Sequence, residues 1–140
     1  MAERLEVSAR WVGGYESCVT ARGHEIAVDE PAYAGGQDAG MMPTEVFCAA
    51  IASCYCLALR HVAAKRGREL PGLRVNVHAE RAGRELRYGR ILVEAEADVP
   101  CEELEPLIEP ARRVCWVSNT LVAGTDLSYR CTSVEGRTPK

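Results

Sequence analysis

Between Val46 and Leu59 the chain carries no charge, and every position except Ser53 is apolar, cysteine or tyrosine. Pro43 suits a first helical turn, and Lys65 and Arg66 followed by Gly67 make a stop signal, so the spacing predicts a helix over Pro43–Lys65. An apolar run without a hydrophilic face predicts a helix enclosed by protein on all sides. Uncharged runs of about 10–14 residues are core helices more often than membrane spans.

Upstream the period is two. Leu5, Val7, Ala9 and Trp11 alternate with Glu6, Ser8 and Arg10, which predicts a half-buried strand. Gly13-Gly14 supplies a turn, and strands follow near Ser17–Ala21 and His24–Asp29, joined through Arg22-Gly23. Glu30-Pro31 ends the third strand, and a glycine-rich loop over 32–42 leads to the apolar helix. Beyond that helix, Leu73, Val75, Val77 and Ala79 alternate with Arg74, Asn76, His78 and Glu80. Ile91, Val93, Ala95, Ala97 and Val99 repeat the pattern. Arg81, Arg84, Arg87 and Arg90 between them, mixed with Glu80 and Glu85, predict a solvated hairpin tip.

A second helix is expected from Glu102 to Cys115, where Leu104, Leu107, Ile108, Ala111 and Val114 form one stripe. Glu102 and Glu103 open it and Arg112 and Arg113 close it, as the helix dipole favours. Pro110 should kink or restart it. A short turn over Ser118–Ala123 and a final strand over Thr125–Val134 complete the order β-β-β-α-β-β-α-β, an α+β arrangement. Six strands and one short helix cover a fully apolar helix poorly, so a second copy of the chain is expected.

Composition narrows the function. The 140 residues fit one domain, 1–140, with a polar tail at 135–140. A net charge of −3 with mixed signs argues against a nucleic-acid or membrane partner. The N-terminus has no apolar leader segment, and seven scattered cysteines then predict reduced thiols in the cytoplasm. No C-x-x-C pair is present, and Cys54 and Cys56 would point about 200° apart on a helix, so no metal is expected.

Two motifs stand out together. One is Gly35-Gly36, Gly40, Pro43, Glu45, Ala49-Ala50 and Ala52-Ser53-Cys54; the other is Cys115-Trp-Val-Ser-Asn-Thr-Leu121. With the element order above, the chain resembles the OsmC/Ohr family of osmotically inducible and organic hydroperoxide resistance proteins. The resemblance implies an OsmC-like intertwined homodimer and a cofactor-free thiol peroxidase. Its substrates would be small organic hydroperoxides and its reductant an external dithiol. Cys54 matches the reacting cysteine and Cys115 the resolving one. The family supports the thiolate with an arginine held by a glutamate. Tyr15 occupies the arginine's usual place, so Arg22 is taken as the substitute, with Arg60 as another candidate; Glu45 is taken as the glutamate. Trp116 replaces a proline that commonly follows the second cysteine. The alternative expectation is an OsmC-like dimer without efficient peroxidase activity, binding an apolar small molecule or partner beside Cys54. Cys18, Cys48, Cys56, Cys101 and Cys131 are expected to be structural, and His61 lies too far along the helix to act as a base on Cys54. Ser118 and Asn119 are expected to cap the turn after Cys115.

Overall fold

The computed structural model describes residues 3–133. Strands β1 (Ser8–Gly13), β2 (Glu16–Ala21) and β3 (His24–Val28) form an antiparallel meander, followed by a single 3-10 turn at Ala32–Ala34. Helix α1 (Pro43–Lys65) follows, then the hairpin of β4 (Arg74–Arg81) and β5 (Tyr88–Glu96). Helices α2 (Cys101–Arg113) and α3 (Trp116–Ala123) end the regular structure. The α+β class and the long apolar central helix are as the hydrophobic periods predict.

The core lies where α1 crosses the β4–β5 hairpin and α2. Tyr55, Ala58, Leu59, Val62 and Ala63 of α1 meet Leu104, Leu107 and Ala111 of α2, with Cys115 at the bottom. Val75, Val93 and Ala95 close this core from the hairpin, where Val75 stands opposite Ala95 and Val77 opposite Val93. The inward set is the alternation read from the sequence.

The three-stranded sheet packs little against these helices. It is joined to them through a bridge between Val28 and Met41 and a clamp at Asp29. That carboxylate is buried and accepts the amides of Glu30 at 2.8 Å, Gln37 at 3.0 Å and Ala39 at 3.2 Å. Burial pushes its carboxyl up, but the three amides together outweigh burial and hold it below the usual range. A side chain at Gly36 would overlap the Glu30 carbonyl, and one at Gly40 the Ala27 carbonyl. The glycine motif before α1 is therefore a close-approach requirement.

Several expectations need correction. Helix α1 is not enclosed on all sides within one chain: Leu57 is 68% exposed, and Phe47, Ala50 and Ser53 share its open stripe. The inward side chains expected for the first strand are open as well, with Trp11 73% exposed, and Leu5 and Val7 precede the strand. By length and apolar composition α1 could cross a bilayer, yet its Ile51–Tyr55–Leu59–Val62 face is buried against protein.

Ser118–Ala123 is not a turn but most of α3, because Val117, Leu121 and Val122 continue a helical period up to Gly124. The last expected strand does not form over Thr125–Ser133: among the described residues the sheets consist of β1–β3 and β4–β5 alone; Val134 lies outside the described residues. Pro110 does not restart α2, which is helical from Cys101 to Arg113. Proline at 110 lacks the N–H that the Pro106 carbonyl would accept, and the Arg66 guanidinium donates to that carbonyl instead at 3.2 Å.

Candidate functional site

Helix α1 presents Cys54 beside the buried face defined by Tyr55 and Leu59. The turn after α2 places Cys115 immediately before α3, in an extended conformation with φ −84° and ψ 104°. The two thiols are close neighbours, and Cys115 acts on the Cys54 thiol. Cys115 is fully buried, whereas Cys54 remains partly exposed.

The first turn of α3 faces both sulfurs. The opening amides of a helix have no partner inside it, and here the Val117 and Trp116 N–H groups lie near enough to Cys54 to draw its thiol down. Burial raises the Cys54 thiol above its ordinary value, the Val117 amide draws it down, neighbouring Cys115 raises it and the Trp116 amide lowers it. The upward causes prevail. Among the described residues no arginine or glutamate acts on Cys54. One turn on, Ser118 Oγ donates to Cys115 Sγ at 3.2 Å, and Asn119 Nδ2 ties α3 back to the Arg113 carbonyl at 3.0 Å. Ser118 thus serves the sulfur rather than a backbone cap.

Tyr55, the residue after Cys54, is buried and donates from its hydroxyl to the Ile108 carbonyl at 2.9 Å. Burial raises its phenol, and neighbouring Cys115 and Glu109 add to this while Arg112 opposes it. Arg112 holds Glu109 through two contacts of 2.8 and 2.7 Å, which keeps the Glu109 carboxyl down at about 2. An apolar cleft of about 500 Å³ opens beside this group, between Ile51 and Tyr55 of α1, Tyr88 to Ile91 of β5, Ile108 and Arg112 of α2, and Ser118, Leu121 and Val122 of α3.

Of the four residues singled out from the sequence, the fold brings two together. Cys54 and Cys115 meet. Glu45 instead accepts the Met42 amide at 2.9 Å, a capping interaction at the start of α1, because nine helical residues turn it about 180° from Cys54. Arg22 occupies the exposed turn between β2 and β3 with φ 52°, and is not brought to the sulfurs within one chain. Arg60 and His61 lie on the exposed side of α1. Sequence reasoning missed the amides of α3, Ser118 as a donor to sulfur, and Tyr55 with Arg112. The apolar spacing of Val117, Leu121 and Val122 before Gly124 was the available signal for α3. Among the other cysteines, Cys48 borders a groove against β4 and Cys18 lies between Arg10 and Glu25 on the meander. Among the described residues no three metal-ligating side chains stand together.

Residues 35–130 match the model of the OsmC-like protein family. The chain belongs to that family. Its fold is that of the OsmC-like protein from Mycoplasma pneumoniae, with a TM-score of 0.76 at 17% identity over 89% of this chain and 91% of that one. An organic hydroperoxide resistance protein OsmC from Legionella pneumophila aligns with a TM-score of 0.67 at 22% identity, over 86% and 90% of the two chains. The organic hydroperoxide resistance protein OhrB of Bacillus subtilis aligns with a TM-score of 0.61 at 25% identity, over 88% and 93%. No curated protein matches the chain. The first motif of this OsmC-like chain ends at Cys54, midway along α1, and the second begins at Cys115, the residue before α3.

Proposed function

We propose that this OsmC-like protein is a thiol peroxidase that reduces organic hydroperoxides in oxidative-stress defence in the cytoplasm. The observation that carries the reading is the contact between Cys54 and Cys115, with only Cys54 open to a small molecule. The Cys54 thiolate attacks the peroxide O–O bond. An alcohol leaves with the thiol proton, and Cys54 becomes a sulfenic acid. Cys115 then attacks that sulfur, forming the disulfide and releasing water. Two thiols are oxidised and one peroxide is reduced to alcohol and water, so electrons balance. An external dithiol reopens the disulfide by exchange. The apolar cleft, lined by Tyr55, which follows Cys54, and by Ser118, which is bonded to Cys115, favours alkyl chains over hydrogen peroxide, and neighbours named for organic hydroperoxide resistance support the same chemistry.

The working unit in this reading is a homodimer. The open stripe of α1, together with Trp11, Leu127 and Tyr129 at 73%, 77% and 88% exposure, is more apolar surface than a monomer ordinarily leaves to water.

A second reading draws support from the missing cation at Cys54: a dimer that binds an apolar molecule in the cleft without efficient turnover. The two are separated by treating reduced protein with one equivalent of tert-butyl hydroperoxide and mapping the oxidised thiols. A Cys54–Cys115 disulfide, with peroxide consumption lost in Cys54→Ser, supports the peroxidase. Cys54 remaining reduced abandons it for the second reading. Light scattering at micromolar concentration tests the dimer, which fails if the mass is that of one chain.

A further inference from the structure

Ser118 is a residue whose chemistry neither motif explains. Its hydroxyl sits 3.2 Å from Cys115 Sγ and its side chain also borders the apolar cleft. Among the described residues it is the one hydroxyl that donates to that sulfur. The titratable groups facing Cys115 are Cys54 and Tyr55, both from α1. On α2 the Glu109–Arg112 pair acts on Tyr55, and from β5 Tyr88 and Arg90 line the far wall of the cleft.

A neutral thiol is a weak hydrogen-bond acceptor, whereas a sulfur carrying negative charge accepts strongly. A donor fixed on Cys115 therefore does little while that thiol is resting and most when it becomes a nucleophile. The same bond restricts the Cys115 side chain to the rotamer that meets Cys54, which raises the effective concentration of the attacking sulfur.

We propose that Ser118 is a catalytic hydrogen-bond donor to Cys115, aiming its sulfur at Cys54 and stabilising the charge it carries as the disulfide closes. The hydroperoxide as oxidant rests on the function proposed above; the closure step itself does not. In closure the Cys115 sulfur forms the S–S bond, the S–O bond of the Cys54 sulfenic acid breaks, and the Cys115 proton leaves with the hydroxide as water. Ser118 keeps its proton throughout. A hydrogen bond to a charged acceptor corresponds to a factor of roughly ten in rate.

The test compares Ser118→Ala and Ser118→Thr with wild type in two arms. In the first, tert-butyl hydroperoxide is mixed with reduced protein. Sulfenic acid at Cys54 is trapped with dimedone, and the disulfide and the sulfinic acid are quantified by mass spectrometry. In the second, diamide replaces the peroxide: it adds to Cys54 as a sulfenylhydrazide, which Cys115 displaces as the hydrazine. The expected result is closure slowed roughly tenfold relative to the first oxidation step in Ser118→Ala, more sulfinic acid under excess peroxide, and recovery in Ser118→Thr. Recovery by threonine separates the hydroxyl's chemistry from a merely structural role. Unchanged closure in Ser118→Ala, or no recovery in Ser118→Thr, overturns the assignment. If peroxide leaves Cys54 reduced while diamide closure depends on residue 118, the peroxidase reading falls and the role of Ser118 stands.

Discussion

Replacing Trp116 with proline removes an N–H that draws the Cys54 thiol down, without breaking the helix that delivers it. Trp116 is the first residue of α3, so its amide has no partner within the helix. Proline is well suited to that position, and the extended backbone of Cys115 is the conformation a residue before proline prefers. The indole is lost too, so the proper reference is Trp116→Ala, which keeps the amide. A hydrogen bond to a charged acceptor contributes about 1.5–3 kcal/mol. Cys54 is partly exposed, so screening reduces this to about 0.5–1 kcal/mol. The thiolate population then falls roughly 2- to 5-fold at neutral pH. A less stabilised thiolate is also the better nucleophile, with a slope near 0.4–0.5, so alkylation slows only about 1.5- to 2.5-fold. The assay is iodoacetamide labelling of Cys54 at pH 7, followed peptide by peptide, in a Cys115→Ser background that prevents disulfide formation. Far-ultraviolet circular dichroism establishes that both variants are folded. Labelling of Trp116→Pro at or above the rate of Trp116→Ala would show that the α3 amides do not support the thiolate.

Three further outcomes are expected. Leu107→Ala empties a site with no solvent exposure at the α1–α2 contact and should cost about 3 kcal/mol, read as a lower urea midpoint at unchanged slope; a loss under about 1 kcal/mol contradicts the packing. The Asp29 carboxyl is depressed in the folded state, so its stabilisation is complete above the ordinary carboxylate value and disappears as pH falls through the lower folded one. Urea unfolding between pH 5 and pH 2 should therefore be less pH-dependent in Asp29→Asn, and equal dependence refutes the clamp. In a double-mutant cycle, Arg66→Met should cost about 0.5–1 kcal/mol alone but almost nothing in Pro110→Ala, where residue 110 regains the N–H for the Pro106 carbonyl; additive losses exclude this compensation.

The sequence made the long elements legible because their signals are local. Pro43, Gly67 and the uncharged run between them bound α1, and the alternations from Leu73 and from Ile91 gave the β4–β5 hairpin and its inward face. What failed depends on chain that is distant or on a second molecule. The open stripe at Phe47 and Leu57 has the composition of a core position but no cover within one chain, and Thr125–Ser133 has strand-like alternation without a neighbouring strand. At the site, motif context paired Cys54 with Cys115, which the folded chain brings into contact. The two supporting charges chosen from side chains, Glu45 and Arg22, lie elsewhere. Within one chain the groups that draw the Cys54 thiol down are the N–H groups of Val117 and Trp116, which no side-chain pattern announces.

That arrangement changes how the site responds to mutational drift. A guanidinium can be lost by a single codon change, whereas a main-chain amide survives every replacement except proline. Polarity at Cys54 is thus encoded in the angle at which α3 leaves Cys115, and whatever preserves that angle preserves the reactive environment. In this chain the indole of Trp116 and the isopropyl group of Val117 can be exchanged without removing either amide, and only a proline at one of these positions takes an amide away.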